Sequence, residues 1–381
     1  MQILIIFWGA VFLYILWRAI LPLDCRRPVK IAVAAVTGVL FFKGFVLRRG
    51  SPLVDLVPEW LSILLQWGFV LFAVFFCLLV AADLCRLARW AYRKLKHRDT
   101  ASNRNFDNAV NIALLAVAAL LAAQGAVNAR ALPELCETEI RFKNLPPELD
   151  GFKIALLVDL HVDKFTPPHF IPEVVRRVNA LEPDLVTVVG DFCDGKVADF
   201  APRIAGLKKL RARYGVFGVP GNHEYYPDYR RCMTHLRSLD VIVLENSRRT
   251  VAPRLVVAGV TDPVAARNHL PMPNLDAALK GIPEGNFVLF LAHRPNFAKR
   301  AAELGANLQL SGHTHGGAMP VARIAAALAA GGYLSGLYTV GDMKLYVSRG
   351  TATWGTSLVS ALRIRLNTPP EITLIVLRRG V

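Results

Sequence analysis

A chain of 381 residues that is 54% hydrophobic, with a mean hydropathy of +0.37, is too apolar for an ordinary soluble protein and long enough for more than one domain. Its net charge of +16 does not make it a nucleic-acid binder: residues 1–128 hold 14 Lys and Arg against 6 Asp and Glu, and the rest keeps 31 against 23. Basic stripes interleaved with aromatic residues are absent, so no nucleic-acid partner is expected, and the six cysteines, with neither a CxxC pair nor zinc-ribbon spacing, define no disulfide framework.

Four apolar blocks come first, at 1–17, 31–47, 60–82 and 109–129. Each approaches the ~20 residues that cross a hydrocarbon core. The first block has no basic segment before it, because the first charge is Arg18, so it reads as a retained helix and not as a cleaved signal. Loop one carries Arg18, Arg26, Arg27 and Lys30, and loop three carries Arg86, Arg89, Arg93, Lys94, Lys96, Arg98 and Arg104. Loop two has only Arg48 and Arg49 against Asp55 and Glu59. Basic loops stay in the cytoplasm, so the expectation is a multi-pass protein of the cytoplasmic membrane with everything after about residue 130 on its outer side. The second block, short and interrupted by Lys43, is the one on which that parity depends.

Residues 131–150 read as a linker, and from 151 to 381 the texture changes. "KIALLVDL", "DLVTVVGD", "GVFGVPGN", "VIVLEN", "RLVVAGV", "NFVLFLAH", "ANLQLSGH", "MKLYVSRG" and "EITLIVLR" read as strands, with helical patterns between them in "PHFIPEVVRRVNALEP" and "YRRCMTHLRSL". Continuous aliphatic strands alternating with helices imply a layered α/β core covered on both faces. Of the three cysteines in this part or its linker, Cys136, Cys193 and Cys232, at most two can pair, and the sequence does not say which.

The strand ends carry the chemistry. They place Asp159 and His161, Asp191, Asn222 and His223, His293, and His313 and His315 just beyond the aliphatic runs. Taken singly, most have ordinary explanations: an Asp caps or turns, Pro-Gly-Asn turns, a lone His sits in a core. Two histidines one residue apart between Gly312 and Gly316, in "LQLSGHTHGG", cap nothing and bury nothing. Five of the nine histidines fall at these ends, and ligands of open α/β sheets collect beyond the carboxyl ends of strands. Mixed carboxylate, imidazole and amide donors suit Mn, Fe, Zn or Ni rather than Ca. Seven such donors exceed what one tetrahedral ion takes, whereas two ions sharing a carboxylate use them all.

In order, D-x-H, GD, GNHE, a lone His and GHTH resemble the motifs of the calcineurin-like metallophosphoesterase superfamily over about residues 150 to 381. With the apolar blocks, "GNHEYY", "SGHTHGG" and the closing "PPEITLIVLR", the chain looks most like the bacterial subgroup of exported or membrane-bound phosphoesterases. The resemblance implies a four-layer α/β/β/α sandwich. It assigns one divalent ion to Asp159, His161, Asp191 and His315 and a second to Asp191, Asn222, His293 and His313, with Asp191 bridging. It also implies in-line attack on phosphorus by a hydroxide held between the ions, with His223 at the scissile phosphate. Asp194 and Glu224 act from behind the ligands in this scheme, a helix cap being the competing reading of Glu224.

Some members of the subgroup remove UMP from a UDP-linked diacylglucosamine in lipid A synthesis, a substrate made inside the cell and therefore at odds with an outward domain. A phosphorylated lipid or envelope phosphate fits that placement better. A non-catalytic binding or sensing module on the same fold is the other alternative, and it is disfavoured because no ligand position is missing. The chain departs from the family at 318–341, which is long and apolar. A packed helix is the favoured reading of that segment, and a lipid-facing flap the other.

Overall fold

Apolar sequence in the first third becomes helix. The computed structural model describes residues 2–46, 57–98, 104–226, 228–318, 323–353 and 365–380, which fall into two compact units divided at 127/128. The first unit holds α1 (Gln2–Ile15, wound on through Ile20), α2 (Arg27–Val46), α3 (Glu59–Leu95) and α4 (Arg104–Arg130). Within them, Trp67–Leu95 and Arg104–Arg130 are long and apolar enough to cross a membrane, and Ile5–Ile20 is a shorter apolar helix. Most of loop two, which entered the orientation argument, lies outside the described residues.

Trp8 of α1 packs against Phe41 of α2 and Phe69 of α3, with ring centroids 5.5 and 4.7 Å away. At Gly68 a β-carbon would stand 2.7 Å from Leu40, so α2 and α3 cross closely because that residue has none. One end of the unit is polar. Asp83 accepts from Tyr14 Oη at 2.7 Å, Arg18 Nε at 2.6 Å and Arg86 Nη1 at 2.6 Å, and Arg86 also donates to Asn111 Oδ1 at 3.0 Å. Arg104 and Asn108, at the start of α4, both donate to the Pro22 carbonyl, at 3.0 and 2.9 Å. Loops one and three therefore meet at the same end of the helices.

The second unit is built on two six-stranded sheets. The first runs β1 (Glu134–Phe142), β12 (Glu371–Arg379), β2 (Lys153–Leu157), β3 (Leu185–Val189), β4 (Val216–Val219) and β5 (Val241–Val243). The second runs β10 (Gly336–Val340), β11 (Met343–Val347), β9 (Leu308–Ser311), β8 (Phe287–Leu291), β7 (Leu255–Gly259) and β6 (Ser247–Ala252). Strand residues alternate faces, and both faces are apolar. Ile154, Leu156 and Val158 join Val257, Leu289, Leu291 and Leu310 in the core between the sheets. Ala155 and Leu157 face the other way, onto α5 (Phe170–Asn179), α6 (Val197–Ile204) and α7 (Tyr229–Ser238). Across the second sheet, Ala258, Phe290 and Val347 pack on α8 (Leu275–Leu279) and α9 (Ala298–Glu303). The result is the expected four-layer α/β/β/α sandwich.

All nine aliphatic runs form strands, and three strands escaped the sequence reading. Part of the stretch read as a linker is β1, which pairs parallel with β12 from Glu134↔Glu371 to Phe142↔Arg379. β6 and β10 are the two edges of the second sheet, and β1 is an edge of the first. Edge strands are half exposed: "ELCETEIRF" buries only Ile140 and Phe142, so no continuous aliphatic run marks it. The packed-helix reading of 318–341 is overturned as well. Residues 319–322 lie outside the described ones, and α10 (Arg323–Ala329) buries none of its residues, leaving Ile324 74% and Leu328 75% exposed.

Candidate metal centre

The turns that follow β2, β3, β4, β8 and β9 bring the chain's strand-end donors to one place. Asp159, His161, Asp191, His313 and His315 all have positive φ, between 43° and 70°. Left-handed backbone is unfavourable for residues with a β-carbon and persists only where surroundings enforce it. Here the enforcement is a chain of backbone bonds between turns. The Asp159 amide donates to the Gly190 carbonyl at 3.2 Å, His161 to Asp191 at 2.9 Å, and Gly312 to His293 at 2.9 Å. Gly312 has to be glycine, since a β-carbon would lie 2.0 Å from Val158 Cγ1. The same holds at Gly221, where a β-carbon would lie 2.2 Å from Asp191 Oδ1.

Two groups of donors result, Asp159 with His161 and His315, all buried, and Asp191 with His293, both buried, and the half-buried His313, each with its ligand atoms within 4.8 Å of one another. Asp191 stands between them: its Oδ2 is 3.6 Å from His161 Nε2 and 3.2 Å from His293 Nε2. Nε2 of His161 and Nε2 of His315 face each other at 3.2 Å. His293 gives its Nδ1 proton to the Val189 carbonyl at 3.0 Å, which leaves Nε2 as the lone-pair nitrogen. Asn222 donates its amide nitrogen to Tyr226 Oη at 3.1 Å and leaves Oδ1 buried without a hydrogen-bond partner.

The donor set fits divalent ions. Asp159 Oδ1, Asn222 Oδ1 and His293 Nε2 are buried without a hydrogen-bond partner. An orphaned buried polar atom costs about 1–3 kcal/mol, and a bound cation would remove that cost.

Asp194 sits behind the ligands as expected. Its Oδ2 is 3.2 Å from His161 Nδ1, and its Oδ1 is in close contact with His223 Nδ1. Burial opposes the charge on Asp194, yet the two histidines outweigh it and hold the carboxyl well below the usual range. Burial likewise opposes the imidazolium of His223, but Asp191 and Asp194 raise that group to about 9. His223 Nε2 stays 3.9 Å from Asp191, and His223 clusters with His161 and Asp194 rather than with His293 and His313.

Glu224 is not a cap. Its Oε2 accepts from the amides of Gly221 at 2.7 Å and Asp191 at 3.1 Å, and Oε1 from the amide of Cys193 at 3.3 Å. Burial and then the Asp191 charge push its carboxyl up to about 7, against the pull of those donors.

Sequence reasoning missed two arginines. Arg365 is fully buried, with Nη2 3.1 Å from His315 Nδ1 and Nη1 donating to the Arg349 and Thr368 carbonyls at 2.7 and 3.1 Å. Arg294 lies 3.0 Å from His313 Nε2 and is held by Asp262 through its Nε at 2.7 Å. Arg294 directly follows His293, a position the sequence reading passed over, whereas Arg365 lies near no strand-end motif.

Carboxylate and imidazole donors gathered at the carboxyl ends of strands in a two-sheet sandwich define a metallophosphoesterase. Residues 152–317 match the family model described as calcineurin-like phosphoesterase. The chain is 33% identical over 331 residues to "Transmembrane protein with metallophosphoesterase domain" of Bos taurus, covering 82% of this chain and 72% of that protein. It is 32% identical over 342 residues to the protein of the same name from Danio rerio, covering 86% and 76%. A metallophosphoesterase of Campylobacter jejuni is 29% identical over 335 residues, covering 87% and 85%. The chain belongs to the calcineurin-like metallophosphoesterase family, and it is a metal-dependent phosphoesterase. Relatives named for a transmembrane segment, together with its own two apolar helices of spanning length, associate it with a membrane.

Proposed function

We propose that this protein is a membrane-anchored dinuclear phosphoester hydrolase acting outside the cytoplasm on amphiphilic phosphoesters. The observation that carries the reading is the pair of neighbouring donor groups, Asp159 with His161 and His315 and Asp191 with His293 and His313, with Asp159 Oδ1 buried and unpaired among them. Asp159, His161, Asp191 and His315 would hold one ion and Asp191, Asn222, His293 and His313 the other. Two such ions supply Lewis acidity toward the phosphoryl oxygens and lower the pKa of water.

The protein's own residues do the rest. His223 has its Nδ1 committed to Asp194, a carboxylate that favours the imidazolium, and its Nε2 proton would go to the leaving oxygen. Asp194 orients His161 and His223 together, and Glu224 fixes the turns that carry Asp191 and Asn222.

Substrate class is argued from α10. It begins beside the GHTHGG turn, since a β-carbon on Gly317 would touch Arg323 Cα at 2.8 Å. An exposed Ile324 and Leu328 next to the site favour a phosphate carried on an apolar tail. Outward placement is supported by the meeting of the two basic loops at one end of the helices, because an even number of crossings then follows.

Elemental analysis of the full-length protein in detergent tests the core of the proposal. Two ions per chain are expected, both lost in Asp191→Ala, along with hydrolysis of an aryl phosphate. A fully active protein with a single ion refutes the dinuclear scheme.

A further inference from the structure

We infer that Cys193 and Cys232 are the two ends of a disulfide that ties the Asp191 turn to the helical layer over it. Cys193 lies in the turn after β3, between Asp191 and Asp194, and Cys232 lies near the start of α7. Both side chains are buried, and their Sγ atoms are 3.0 Å apart. That is about 1 Å beyond a covalent S–S bond, and closer than two sulfurs in ordinary contact. The sequence left Cys136, Cys193 and Cys232 with no preferred pairing. The fold chooses one, because Cys136 Sγ on β1 is engaged by Arg349 Nη2 at 3.3 Å.

A metal held by Cys193, Glu224 and Cys232 is the competing reading of the same cluster. Glu224 argues against it. Both of its oxygens already accept backbone amides, Oε2 from Gly221 and Asp191 and Oε1 from Cys193. Three donors would also leave a zinc ion one ligand short of its tetrahedral four.

The bond forms by exchange with an external disulfide, small or protein-borne. One thiolate attacks that disulfide and expels one thiol; the second thiolate attacks the mixed disulfide and expels the other. Two electrons pass to the external disulfide, and the two protons end on the thiols it releases. Because both sulfurs are buried, the exchange takes place before α7 docks or during its local opening. The closed loop contains Asp194, Asn222, His223 and Glu224, so the bridge restrains residues at and behind the site. Whether the cell supplies the oxidant rests on the outward placement proposed above; the geometry of the pair does not.

The test uses the full-length protein in detergent, incubated with oxidised glutathione, quenched in acid, denatured, alkylated with N-ethylmaleimide and digested. A linked Cys193–Cys232 peptide is expected, with the other four of the six cysteines alkylated. Dithiothreitol should lower Tm by roughly 5–15 °C, and Cys232→Ser should start from the lower Tm and ignore dithiothreitol. Alkylation of both Cys193 and Cys232 after oxidation overturns the inference. So does a zinc ion that Asp191→Ala retains and Cys232→Ser loses. The same quench applied to intact cells separates the two proposals: a link that forms in detergent but is absent in cells upholds the pairing and overturns the outward placement.

Discussion

Replacing Glu224 by Gln changes one atom at a buried position and tests how the site is held. The carboxylate satisfies three amides, two through Oε2, from Gly221 and Asp191, and one through Oε1, from Cys193. A glutamine in its better orientation keeps its oxygen on the first two and turns an NH₂ group toward the Cys193 amide. One buried donor then faces another, at a cost of about 1–3 kcal/mol. For a unit of this size that lowers Tm by roughly 3–10 °C. The opposite orientation strands two amides and costs more. Because the Asp191 amide is one of the three, the Asp191 carboxylate loses its fixed position, and metal affinity should fall by about 10–100-fold. Calorimetry of the full-length protein with and without metal, and competition against a chelator, measure the two effects. A Tm within about 1 °C of the parent together with unchanged metal affinity would refute the view that Glu224 positions Asp191.

His223→Ala should keep its metal content by elemental analysis and lose roughly 10²–10⁴ in kcat, the usual worth of a positioned acid; turnover within a few-fold of the parent removes that role. An alkaline phosphatase fused after Val381 should be active and a fluorescent protein that matures only in the cytoplasm dark, the reverse pair indicating an inward-facing enzyme. Ile324→Glu combined with Leu328→Glu should slow hydrolysis of a phosphoester embedded in vesicles at least several-fold while leaving a soluble aryl phosphate unaffected, and equal effects on both would count against α10 as the lipid-facing element.

The metal centre was legible in the sequence because its donors are local marks. Each sits one to four residues beyond an aliphatic run, and runs such as "LVTVV" and "FVLFL" became strands buried on both faces. The order of the motifs then named a family. Interior strands were legible for the same reason, since a strand covered on both sides has to be aliphatic throughout. Edge strands such as β1 and β6 escaped because half-exposed positions accept Glu, Arg and Thr, which erases the pattern.

By itself, then, the sequence determined the layered α/β class and the membrane character of the first third and marked seven candidate donors, all properties written in periodicity, residue type and short spacing. Only the tertiary structure decided that Asp191 stands between two donor groups, that Glu224 spends its carboxylate on three amides, that Arg365 and Arg294 stand beside His315 and His313, and that Cys193 meets Cys232. The physical reason is range. A donor's chemistry belongs to its side chain, whereas its partner is fixed by how separate turns are brought together: His161 and His315 are 154 positions apart, and their ring nitrogens face each other at 3.2 Å only because β2 and β9 lie in two sheets packed face to face.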